Sequence, residues 1–156
     1  MLKHSKELIK KHYLKFIIFS LLILIPVLVA NPLLYRFLPR SDGPAHFFKV
    51  WLLRYELDNY GKIFDWNSFW YGGHPLFRFY PPLSYLITTG LSYIIPLQLH
   101  QVFNLMIFIS YIILSFSVYY LSRVLKFSKP ASLVISVLVI ISPAFSTSYS
   151  LLGVKA

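Results

Sequence analysis

Four side chains in one segment of this 156-residue chain could do chemistry together: Asp42, His46, His74 and Arg78. The Asp42 carboxylate could act as a general base or hold a divalent cation such as Mg²⁺ or Mn²⁺. It could equally be a helix N-cap in water, because Ser41-Asp42-Gly43-Pro44 has the residue types of a helix start. The two roles compete, since a capping carboxylate is less able to take a substrate proton. His46 follows one turn later on the same face, where it could share a metal or a substrate hydroxyl with Asp42. A histidine lodged at a membrane interface would look the same. His74 and Arg78 flank the turn ahead of Pro81-Pro82, and Arg78 sits among Phe77, Phe79 and Tyr80. A guanidinium there could clamp a phosphate, or simply meet a lipid headgroup.

The elements around these residues look membrane-spanning. The chain is 57% hydrophobic and 13% charged, about half the charge fraction of an ordinary soluble domain. Uncharged runs cover residues 16–35, 79–99, 101–122 and 130–154, each near the roughly 20 residues a spanning helix needs. The expected fold class is therefore an all-α polytopic bundle of about four spans. The second span is the shortest in helical terms, because Pro81-Pro82 and Gly90 interrupt it.

Lys3, Lys6, Lys10, Lys11 and Lys15 precede the first run. The positive-inside rule puts residues 1–15 in the cytoplasm and the loop 36–78 outside. The expected location is a multi-pass protein of the cell membrane, with the first run as an uncleaved anchor; the alternative is a signal peptide, for which Leu28 and Ala30 before Asn31-Pro32 make a poor cleavage site. Strict alternation of four spans would then place Arg123, Lys126 and Lys129 outside, against the same rule. The net charge of +10 points to the lipid bilayer as partner and not to nucleic acid, for which no binding motif is present. Zero cysteines exclude disulfides, thiol catalysis and cysteine metal sites.

The loop holds four of the five acidic residues and all three tryptophans. Residues 45–59 show a helical period, with Phe48, Trp51, Leu52 and Tyr55 as an apolar stripe and Asp42, His46 and Lys49 on another face. Such a helix would lie in the interface. Asn59-Tyr60-Gly61 breaks it, and a second short interfacial helix is expected from Asp65 to Trp70. Gly72-Gly73 and His74-Pro75 read as a turn. Glu56, Asp58 and Asp65 read as a solvated face or a cap. Trp66 and Trp70 suit headgroup anchoring or stacking on a sugar ring. Asn104 is expected to bond a neighbouring helix. Phosphate-cradling glycine loops, nucleophile elbows and paired-histidine zinc motifs are absent from the sequence.

The combination of Ser41-Asp42-Gly-Pro-Ala-His46, Asp65-Trp-Asn67, Phe69-Trp-Tyr-Gly-Gly73 and Phe77-Arg-Phe-Tyr-Pro-Pro-Leu-Ser-Tyr85 resembles a known group. It is similar to the archaeal and bacterial membrane proteins labelled 6-pyruvoyl-tetrahydropterin synthase-related, which are themselves similar to membrane glycosyltransferases of the GT-C fold. Ser142-Pro143 and Leu152-Gly153 resemble the end of that family's fourth span, so the likeness covers about residues 16–153. It implies an outside loop of interfacial helices, a sugar donor on a polyprenyl phosphate, and a catalytic or metal-binding aspartate at the position of Asp42. It implies that Arg78 and Pro81-Pro82 lie near the lipid phosphate. Family members carry more spans, so the chain is expected to be the N-terminal, incomplete module of such an enzyme. The reading from a different class is a small non-catalytic membrane protein that packs against a partner through its uncharged helices.

Overall fold

The computed structural model describes residues 2–35, 42–63, 66–69 and 72–142, with side chains described from residue 12 onward. Expectations that rest on Ser41, Asp65, Trp70, Tyr71 and residues 143–154 lie outside the described residues. The all-α expectation holds: seven helices and one two-stranded ribbon make up the described elements. They fall into two compact units, residues 37–106 on the one hand and residues 1–36 with 107–156 on the other.

The second of these units contains α1 (Leu2–Ala30), α2 (Pro32–Tyr35), most of α6 (Leu99–Val124) and α7 (Lys129–Ile141). Helix α1 stops at Ala30 because Pro32 disfavours the helical region for the residue before it. The core is Ala30, Leu33, Tyr111 and Ile140, with Ile25, Val29, Ile107, Phe108 and Leu114 packed on it. Lys126 ends α6 in the left-handed conformation (φ 66°), and the Phe127 N–H reaches back to the Ser122 carbonyl at 3.1 Å. Ser128 then caps α7, accepting from the Ala131 N–H at 3.4 Å. Two buried serines join α6 to α7: Ser136 Oγ lies 3.1 Å from Ser115 Oγ and donates to the Ser115 carbonyl at 2.8 Å. Small side chains at such a crossing let two backbones approach closely.

Residues 37–106 contain α3 (Gly43–Tyr60), the strands β1 (Trp66–Asn67) and β2 (His74–Pro75), α4 (Leu76–Phe79) and α5 (Leu83–Ile94). Helix α3 confirms the helical period of the loop. Gly61 ends it with φ 65° and an N–H to the Leu57 carbonyl. Helices α3 and α5 run parallel, joined roughly once per turn. His46 bonds Tyr85, Thr89 donates to the Val50 carbonyl, Arg54 donates to the Ser92 carbonyl and hydroxyl, and Tyr93 donates to Asp58.

Two expectations are corrected. Trp66–Asn67 is not the start of a helix; it pairs antiparallel with His74–Pro75. Gly72 and Gly73, at φ 71° and 107°, reverse the chain there. Any Cβ on Gly73 would stand 2.5 Å from the Trp66 indole nitrogen. The second correction concerns the number of spans. Among the described residues, two stretches are long and apolar enough to cross a membrane, His12–Tyr35 and Leu99–Val124. At 1.5 Å per residue they reach about 36 and 39 Å, more than the roughly 30 Å hydrocarbon core. Helix α5 has only 12 residues, about 18 Å. Pro81-Pro82 delays its start, and Pro96 holds Ile95 extended at φ −88°, ψ 123°. The described part of the fourth expected span, α7, has 13 residues.

The serine contacts make a prediction. Ser136→Ala removes a satisfied buried hydroxyl and should lower stability by ~0.5–1.5 kcal/mol. Ser132 is fully buried and its Oγ has no hydrogen-bond partner among the described residues, so Ser132→Ala should be neutral or stabilising. Thermal unfolding of the two variants in the same detergent separates them.

Candidate functional site

The first turns of α3 and α5 build the site. Asp42 occupies the N-cap position of α3 with Pro44 in the first turn, but its backbone is helical (φ −80°, ψ −2°) and its side chain makes no capping bond. The Asp42 carboxylate is exposed. One turn on, His46 Nδ1 shares a 2.8 Å hydrogen bond with the Tyr85 hydroxyl, and the two rings stack with centroids 6.0 Å apart. Tyr85 lies at the start of α5, positioned because Pro82 sets the helix going just before it.

Lys49 completes the face at the spacing read in the sequence, but its environment was not legible there. It is 2% exposed. Its Nζ donates to the Ala45 carbonyl at 3.2 Å and lies 4.1 Å from the centroid of the Tyr80 ring and 5.9 Å from that of Tyr85. Among the described contacts it meets no carboxylate, and ring faces only partly replace lost hydration. Burial lowers its pKa, while the Asp42 charge works the other way. Burial also lowers the His46 pKa, the nearby Lys49 ammonium lowers it further, and Asp42 opposes both. The net effect favours the neutral imidazole. A neutral imidazole can accept a proton, and a buried ammonium can hold an oxyanion.

The remaining expected residues fall on the return segment. His74 pairs with Asn67 across the ribbon and is half-buried. Arg78 is exposed on α4, next to Phe77, whose ring lies 6.3 Å from that of Tyr85. Asp42, His46 and Lys49 are brought together; Arg78 is held on the segment leading to Tyr85. Asp58 is the solvated residue expected, paired with Arg54 at 3.3 Å. Glu56 is not: it is 4% exposed, because its position on α3 faces the ribbon. Among the described residues, no group of three or more His, Cys, Asp or Glu side chains converges on a metal position. Comparison with protein-family models, with curated proteins and with solved structures finds no match to this chain.

The His46 titration tests this geometry. Its midpoint should lie below the ordinary ~6.5 of a free histidine. Folding then favours the neutral ring, so this contribution to stability is present above pH ~6.5 and is lost as pH falls through the folded value. Lys49→Met removes the like charge and should move the midpoint upward, still short of 6.5, by NMR of the imidazole carbons.

Proposed function

We propose that the chain is part of a membrane glycosyltransferase of the GT-C type, and that the Asp42–His46–Lys49 face receives the phosphate end of a polyprenyl-phosphate-linked sugar. The observation that carries this reading is the buried Lys49 ammonium, set beside a neutral imidazole and an uncapped carboxylate directly after a membrane-length helix. Tyr80, 43% exposed, covers the ammonium, and its ring would swing aside for a phosphate. Lys49 and Arg78 would neutralise the leaving phosphate as it takes the electron pair of the broken C1–O bond. Asp42 would accept the proton of the attacking hydroxyl as the new glycosidic bond forms. A divalent cation such as Mg²⁺ or Mn²⁺ would be held here by the Asp42 carboxylate and would supply charge neutralisation at the phosphate.

The membrane placement is part of the proposal. Only 28% of each long apolar window is buried by protein, so its remaining surface needs an apolar solvent. We place α1 across the bilayer from the cytoplasm, residues 42–98 at the outer interface, and α6 back across. Helix α5 is too short to cross. This arrangement returns Arg123, Lys126 and Lys129 to the cytoplasm, in accord with the positive-inside rule that four alternating spans violate.

Two measurements decide. The chain lacks cysteine, so single cysteines report cleanly on sidedness. Ser68→Cys should react with an impermeant maleimide on intact cells and Ser128→Cys only after lysis; labelling of both from outside would restore the four-span arrangement. For the chemistry, Asp42→Asn in native membranes should lower glycan transfer by about 10²-fold or more. Unchanged transfer removes Asp42 from the mechanism.

A further inference from the structure

A cavity lies at the opposite end of α3 from Asp42. It encloses about 280 Å³ and is lined by Leu52, Tyr55, Glu56, Tyr60, Trp66 and Asn67, with Ser68 and Phe69 at the edge of the ribbon. That volume is just under the lower limit for drug-sized ligands, so it suits a single small ring. Its walls combine two features that do not ordinarily occur together. Trp66 and Phe69 expose more than half of their surface, while Asn67 and Glu56 are 1% and 4% exposed.

The Asn67 amide has a defined orientation. Its Oδ1 accepts the Phe69 N–H at 3.0 Å, which leaves the Nδ2 group on the other side. That Nδ2 is buried and has no hydrogen-bond partner among the described residues. A buried amide donor without an acceptor costs ~1–3 kcal/mol. Interface anchoring accounts for exposed aromatic rings, but it does not account for an unsatisfied donor on a residue that lines the same cavity.

We propose that this cavity binds a neutral saccharide ring. A pyranose presents polarised C–H bonds on its faces and hydroxyls around its edge. The C–H faces suit the electron-rich faces of Trp66 and Phe69. A hydroxyl can accept from Asn67 Nδ2, and another can donate to a Glu56 carboxylate oxygen, which has lone pairs for more than one donor. Aromatic rings with a carboxylate also suit a quaternary ammonium, but such a cation offers no acceptor to Asn67. The Gly73 backbone, packed under the Trp66 indole, holds the stacking ring in place. The cavity shares no residue with the Asp42 face, so the proposal goes beyond the glycosyl-transfer reading and stands without it.

The test uses the full chain in lipid nanodiscs. Methyl glycosides of glucose, mannose, galactose and N-acetylglucosamine are titrated by saturation-transfer NMR, with tetramethylammonium as a parallel probe. At least one glycoside should bind and receive saturation through its ring C–H protons. Phe69→Ala, at an exposed position, and Asn67→Asp, which keeps the acceptor but removes the donor, should each weaken it about tenfold or more. Asp42→Asn should leave binding unchanged, which separates this site from the transfer chemistry. Circular dichroism confirms that each variant is folded. Absence of saturation transfer from all four glycosides, equal binding by folded Phe69→Ala and Asn67→Asp, or displacement of the glycoside by tetramethylammonium would each overturn the assignment.

Discussion

The parallel pairing of α3 with α5 is the constraint on which the rest of residues 37–106 depends. Partners along the two helices are separated in sequence by 39, 39, 38 and 35 residues, so the helices stay in step from His46–Tyr85 to Asp58–Tyr93. Parallel neighbours gain nothing from their aligned dipoles, and polar contacts at each turn offset that. Parallel helices also need a connection long enough to return to the starting end. The 18 residues of α3 span about 27 Å, and the chain covers that distance through β1, β2 and α4. The return path is therefore where both sites acquire their second wall. Tyr80 and Tyr85 come to Lys49, and Trp66 and Asn67 come to Glu56.

Burial separates two of the charged side chains of α3 from the others. Arg54 and Asp58 are partly exposed and satisfied by each other, Ser92 and Tyr93. Such a network fastens two helices and requires no ligand. Lys49 and Glu56 sit on the same helix but are almost wholly buried. Removing an ionised group from water costs several kcal/mol unless its surroundings compensate, and a chain with 13% charged residues has few to place inside. That both lie beside aromatic rings on one 18-residue helix gives α3 a polar centre at each end. The two centres differ in sign: an ammonium with an imidazole near Asp42, and a carboxylate with an amide donor near Trp66.

Both units satisfy buried hydroxyls in the same way, against main-chain carbonyls. Ser136 donates to Ser115 at 2.8 Å, Ser92 to Thr89 at 2.7 Å and Thr89 to Val50 at 3.3 Å. A hydroxyl on a carbonyl needs no water nearby.

Periodicity in the chain was enough to define α3, its stripe of Phe48, Trp51, Leu52 and Tyr55, and the shared face of Asp42, His46 and Lys49, because a helix projects residues three and four apart onto one side. Length and lack of charge were enough to mark residues 16–35 and 101–122, which fall inside the two long apolar stretches His12–Tyr35 and Leu99–Val124. They were not enough for residues 79–99, where uncharged composition looked like a span and two proline-bearing ends left only 12 helical residues. The ribbon was hidden because two-residue strands have no alternation to detect, and the aromatic spacing of Trp66, Phe69 and Trp70 imitates a helix. Whether a side chain on α3 meets water or protein depended on which segment returns beside it. Lys49 and Glu56 carry no local mark of burial; the approach of Tyr80 and Tyr85 to the first, and of Trp66 and Asn67 to the second, decides it, since a contact between separate segments leaves no periodic trace in the strand or helix it joins.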